Sequence, residues 1–178
     1  ILVVLVGAAL FIAVRSLIAR RMRSSMRILL SIFTAFFIFL SPASAFAASL
    51  SVASSKSVVS AGSTFTATVL LNTEGVAVNN AEGVISFPSD VLSVDSLSTA
   101  GSVFSIWVEQ PSFSNANGTV SFNGGAPTPG FNGMAGTVFR ITFRAKKEGP
   151  APITFSSGSV YANDGLGTDV LSVKSQRS

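Results

Sequence analysis

The sequence predicts an all-β domain, a sandwich of two sheets made from eight or nine short strands, preceded by a hydrophobic helical N-terminal leader. Three observations carry this reading. Over residues 137–145 the apolar Phe139, Ile141, Phe143 and Ala145 alternate with Arg140, Thr142 and Arg144. Successive strand side chains point to opposite faces, so one side is core and the other is wet, whereas a helix would scatter those four around its circumference. Short apolar segments separated by Gly, Pro and Asn follow one another through the rest of the chain, with no helical period after residue 47 and no tandem repeat.

The leader comes first. Residues 1–47 carry five Arg and no acid. Met26-Arg27, the apolar run 28–40 and the small residues of 41–47 have the charge, length and A-x-A spacing of a signal peptide over 26–47. Cleavage is expected after Ala45 or Ala47, and the product is expected to be secreted or held at the cell surface, the leader touching membrane only during export. The run is short for a membrane span, and a retained anchor is the alternative. Residues 1–25, apolar then basic, read either as an over-extended frame that truly starts at Met22 or Met26, or as the tail of a transmembrane helix with a positive cytoplasmic flank. The first is preferred.

From residue 48 to 178 seven Lys or Arg face eight Asp or Glu, so the sequence pI near 10.1 belongs to the leader. Nucleic-acid binding, which needs basic residues clustered on the folded part, is rejected. There is no Cys and no His. Thiol chemistry, zinc–thiolate sites and His-dependent triads are thereby excluded, and no nucleophile–base pair can be assembled; the chain is not expected to be an enzyme.

The strands follow in order. Leu50-Ser51-Val52 is short. Phe65, Ala67, Val69 and Leu71 alternate with Thr64, Thr66 and Thr68 in a clear second strand. Gly83–Phe87 is stopped by Pro88, and Val91–Leu97 comes next. Residues 104–110 hold Trp107 and end at Pro111; the turn Asn115-Ala116-Asn117-Gly118 leads into 119–122. Asn117-Gly118-Thr119 also fits a glycosylation acceptor, but is more simply a turn. A Gly/Pro loop precedes the 137–145 strand, Lys146–Pro150 breaks it, and 153–155 restarts the alternation. Val160-Tyr161 and 170–173 remain.

Several strings, in order, resemble the cohesin domain. They are Val59-Ser60-Ala61-Gly62-Ser63-Thr64-Phe65, Phe87-Pro88-Ser89-Asp90-Val91-Leu92-Ser93-Val94, residues 136–146, and Val160-Tyr161-Ala162-Asn163-Asp164-Gly165, spread over residues 50–170. Phe87-Pro88-Ser89 stands where the family has tyrosine, aspartate and proline, so that turn is expected to differ. Either Leu171–Val173 begins the last strand or the chain is truncated; an unpaired edge there would be a liability.

The resemblance implies a jelly-roll-like sandwich of nine strands, one flat face of which binds a protein partner called a dockerin. Here that face is expected from strands 82–87, 104–110, 118–123 and 138–145. Alternation makes the outward residues Glu82, Val84, Ser86, Thr119, Ser121, Asn123, Arg140, Thr142 and Arg144, with Val84 as apolar anchor and the two Arg holding carboxylates or carbonyls. The bland reading is a solvated polar face. One alternative function is polysaccharide binding, with Trp107 or Tyr161 as stacking rings, although core is the preferred home for Trp107; another is a structural adhesin or spacer. Asp164 and Asp169, in an Asn/Asp/Gly-rich run, are weak calcium candidates; the run lacks EF-hand order and reads more simply as two turns. No other cofactor is expected.

Overall fold

The computed structural model describes residues 48–177. The expected leader segments, 1–25 and 26–47, lie outside the described residues. Nine strands form two sheets, with no helix among the described residues. They are β1 (Ala48–Ser54), β2 (Thr64–Asn72), β3 (Val78–Ser86), β4 (Leu92–Ser98), β5 (Ile106–Ser114), β6 (Thr119–Gly125), β7 (Gly136–Ala145), β8 (Thr154–Ala162) and β9 (Leu171–Arg177). One sheet has the order β4-β7-β2-β1-β9, the other β5-β6-β3-β8. All pairs are antiparallel except β1 with β9, which run parallel from Ala48↔Leu171 to Ala53↔Arg177. The expected last strand is therefore present and paired.

Alternation puts the predicted residues inside. Phe65, Ala67, Val69 and Leu71 of β2 and Phe139, Ile141, Phe143 and Ala145 of β7 are all buried, while Thr66, Thr68 and Thr142 stay partly exposed outside. From the facing sheet come Ala81, Ile85, Val120, Phe122 and Val160. The layers meet ring to ring: Phe122 and Phe139 lie 5.0 Å apart between centroids. Phe143 stacks on Phe65 at 5.5 Å and takes the edge of Phe87 at 5.3 Å. Full burial of one such ring is worth about 1.5–3 kcal/mol, so this cluster holds the two sheets face to face.

Side chains complete what the ladders leave open. Asn115, in the turn between β5 and β6, accepts the Val94 N–H on Oδ1 (2.7 Å) and donates Nδ2 to the Val94 carbonyl (3.0 Å). It thus serves as a one-residue partner for the edge of β4, where β4 bulges against β7. Buried Thr73 donates to Asn132 Oδ1 (2.9 Å) and accepts the Gly133 N–H (3.1 Å), pinning the long loop before β7.

Strand β5 departs from expectation. It continues through Pro111 to Ser114, because it is an edge strand and bulges between Trp107 and Glu109 and between Glu109 and Ser112. An edge has a side where a missing N–H costs no ladder bond.

Candidate functional site

Two flat outer faces are available, and they differ in chemistry. On the four-stranded sheet, β3 turns Asn80, Glu82, Val84 and Ser86 outward; β6 adds Thr119, Ser121 and Asn123 beside them. Strand β8 brings Ser157, Ser159 and Tyr161 opposite Val84, Glu82 and Asn80, and β5 brings Glu109 and Ser112 opposite Asn123 and Ser121. A hydrogen-bonded chain runs across the strands. Asn80 Nδ2 donates to Asn123 Oδ1 (2.9 Å), Asn123 Nδ2 to Glu82 Oε2 (2.8 Å), and the Tyr161 hydroxyl to Glu82 Oε1 (3.3 Å). Ser121 donates to Glu109 Oε1 (3.1 Å) and accepts from the Ser112 hydroxyl (3.0 Å). These side chains are held before any partner arrives, which reduces the ordering cost of binding. Along β5, Ile106 is 53% and Val108 75% exposed. The face is thus acidic and hydroxylated, with an apolar margin.

On the five-stranded sheet Arg140, Thr142 and Arg144 of β7 stand among Thr64, Thr66 and Thr68 of β2 and Ser93, Ser96 and Ser98 of β4. Both guanidinium groups are occupied within the chain. Arg140 Nη1 donates to the Ala100 carbonyl (2.6 Å). Arg144 makes a forked pair with Asp95 (3.3 and 2.7 Å) and reaches the Gly62 carbonyl (3.2 Å).

No family model and no curated protein matches the chain. Among solved structures it is similar to a type II cohesin domain from the cellulosome of Acetivibrio cellulolyticus (TM-score 0.57, 16% identity, 74% of this chain and 92% of the other). It is similar also to the second type II cohesin module of an adaptor scaffoldin from the same organism (TM-score 0.59, 14% identity, 73% and 88%). A third likeness is to the structure of a type I cohesin–dockerin complex from Clostridium thermocellum (TM-score 0.54, 18% identity, 70% and 91%). The chain has the cohesin fold.

On this cohesin fold the nine residues expected to share one face do not do so. Glu82, Val84, Ser86, Thr119, Ser121 and Asn123 lie together on the four-stranded sheet; Arg140, Thr142 and Arg144 lie on the other sheet. The expectation failed because β7 pairs with β2 and β4, and alternation says which side of a strand is inward but not which sheet the strand joins. The fourth strand of the Glu82 face is β8 instead. The missed members are Asn80, Glu109, Ser112, Ser157, Ser159 and Tyr161; the alternation of Ser159 and Tyr161 with buried Val160 and Ala162 was the signal for β8.

The two candidate stacking rings are also separated. Trp107 turns inward, edge-on to Phe104 at 6.1 Å and seated over Gly124, where an added Cβ would lie 2.5 Å from its ring. Tyr161 sits on the outer face, half-buried. The calcium candidates already accept hydrogen bonds within the chain. Asp164 accepts the Leu166 N–H (2.8 Å) and the Thr168 hydroxyl. Asp169 Oδ1 accepts the N–H groups of Val160 (3.1 Å) and Leu171 (3.0 Å). The Thr168 hydroxyl, then the Leu166 amide, hold the Asp164 carboxyl below the usual carboxylate value of 3.8. Among the described residues no three His, Cys, Asp or Glu side chains gather to hold a metal. A cavity of about 470 Å³ opens at one end of the sandwich, floored by Val52, Phe65, Leu92 and Ile153 and away from both polar faces.

Proposed function

We propose that the chain is a non-catalytic binding module that docks a dockerin-type protein on the outer face of its four-stranded sheet. The observation that carries the choice of face is the preformed Asn80–Asn123–Glu82–Tyr161 chain beside the exposed Ile106 and Val108. Polar groups already ordered, next to apolar surface still open, make a better interface than a face whose cations are bound internally. A solved neighbour is itself a cohesin–dockerin complex, which supports the partner class. Among the described residues Glu82 and Glu109 are in no ion pair, so they call for a basic partner surface, the reverse of what Arg140 and Arg144 suggested from sequence. The signal-peptide pattern of 26–47 supports work outside the cell, in a secreted or surface assembly.

The test is calorimetric titration of the full chain with a panel of dockerins. Val84→Asp and Ile106→Asp should each weaken binding at least about tenfold, roughly 1.4 kcal/mol, while the double variant Arg140→Ala/Arg144→Ala binds as the parent does. The reverse pattern would move the site to the five-stranded sheet. Absence of binding to every dockerin would reject the partner class.

A further inference from the structure

Four places in the described chain put Asn or Asp directly before Gly: Asn117-Gly118, Asn123-Gly124, Asn132-Gly133 and Asp164-Gly165. Such pairs are open to attack of the glycine amide nitrogen on the preceding side-chain carbonyl, because no Cβ shields that nitrogen. The reaction needs a side chain free to swing back and a backbone amide free to leave its own hydrogen bond.

Three of the four are locked. Asn123 lies inside β6 between β3 and β5, its carboxamide held by Asn80 and Glu82. Asn132 accepts from Thr73 and donates to the Gly75 carbonyl (3.1 Å), and the attacking nitrogen, that of Gly133, is itself bound to Thr73 Oγ1. Both Asp164 oxygens accept loop donors. Asn117 differs in its hydrogen bonds. Like Asn132 and Asp164 it is exposed, here at the tip of the β5–β6 turn, while Gly118 is buried and its carbonyl accepts the Phe87 N–H (2.8 Å). The Asn117 backbone N–H reaches Ser114 Oγ (3.2 Å), but among the described residues neither its carboxamide nor the Gly118 N–H has a hydrogen-bond partner.

We propose that Asn117 is a site of intramolecular deamidation. The Gly118 nitrogen bonds to Asn117 Cγ, the Cγ–Nδ2 bond breaks, and the displaced amide takes the proton that Gly118 loses and leaves as ammonia. Water then opens the cyclic imide at either carbonyl, giving aspartate or isoaspartate. The product places a negative charge two residues from Thr119, at one end of the face described above. The isoaspartate form also lengthens by a methylene the turn from which Asn115 clamps β4. This inference does not depend on the partner reading.

The full chain is incubated in mildly alkaline buffer, folded and in urea, and each site is followed by peptide mapping in a mass spectrometer. Folded, Asn117 should convert at least about tenfold faster than Asn123 and Asn132, the ratio set by the hydrogen bonds those two must first break. In urea the three rates should converge. Thr73→Val, which frees Asn132 Oδ1 and the Gly133 N–H while leaving the bond from Asn132 Nδ2 to the Gly75 carbonyl, should raise the Asn132 rate in the folded chain. The proposal is overturned if Asn117 is no faster than Asn132 when folded, if the order is the same in urea, or if Thr73→Val leaves Asn132 unchanged.

Discussion

Replacing Gly124 by alanine tests the placement of Trp107 with a reporter already in the chain. The new Cβ would lie 2.5 Å from Trp107 Cε3 and 2.6 Å from Cζ3, where carbon contacts settle near 3.5–4.0 Å. The ring must therefore retreat by about 1 Å, and β6, paired on both sides, cannot give way for it. Overpacking of this kind costs about 1–3 kcal/mol. At roughly 3–5 °C per kcal/mol for a domain of this size, Tm should fall by about 3–15 °C. Strand β5 is an edge, so the displaced indole has solvent beside it. As Trp107 is the only tryptophan, its emission should shift to longer wavelength. In the double variant with Trp107→Leu the alanine should cost less than it does alone, with a coupling of about 1 kcal/mol or more. An unchanged Tm with unchanged emission would refute the inward placement of the ring.

Two further outcomes follow from the loops and the second face. Arg144→Ala removes a forked pair with Asp95 whose side chains are 50% and 31% exposed; chemical denaturation should show a loss of no more than about 1 kcal/mol, and a larger loss would mean the Gly62 contact fixes the loop before β2. Asp164 has its folded pKa depressed, so its contribution is present above 3.8 and is lost as pH falls through the lower folded value. Carboxyl-carbon NMR should place its midpoint below 3.8, and Thr168→Val should move that midpoint upward; a midpoint at or above 3.8 in the parent would contradict the hydrogen bonds from Leu166 and Thr168.

Sequence alternation located nearly every strand because each sheet has one dry and one wet side. Phe139, Ile141 and Phe143 point inward as residues of opposite polarity between them require, and Thr64, Thr66 and Thr68 point out. Pairing was less legible. Nothing in residues 138–145 states that their neighbours are β2 and β4, since the same alternation fits either sheet. Bulges hid the rest. Two in β5 left the direction of Trp107 open, and one in β8, where Val84 and Ile85 face Ser157 and Phe155, interrupts the pattern that would have announced a strand through Ser156-Ser157-Gly158. The Asn80–Asn123–Glu82 chain joins residues more than 40 positions apart, so it becomes visible only once β3 and β6 are placed side by side.

The parallel pairing of β1 with β9 has a mechanical side. A pull applied through Ala48 and Arg177 acts at opposite ends of two neighbouring strands, so their ladder from Ala48↔Leu171 to Ala53↔Arg177 is loaded in shear. Bonds loaded that way share the force and must rupture together, whereas strands pulled from the same end unzip one bond at a time. Because β1 is also anchored laterally to β2, such tension enters through the five-stranded sheet, to which the Glu82 face does not belong.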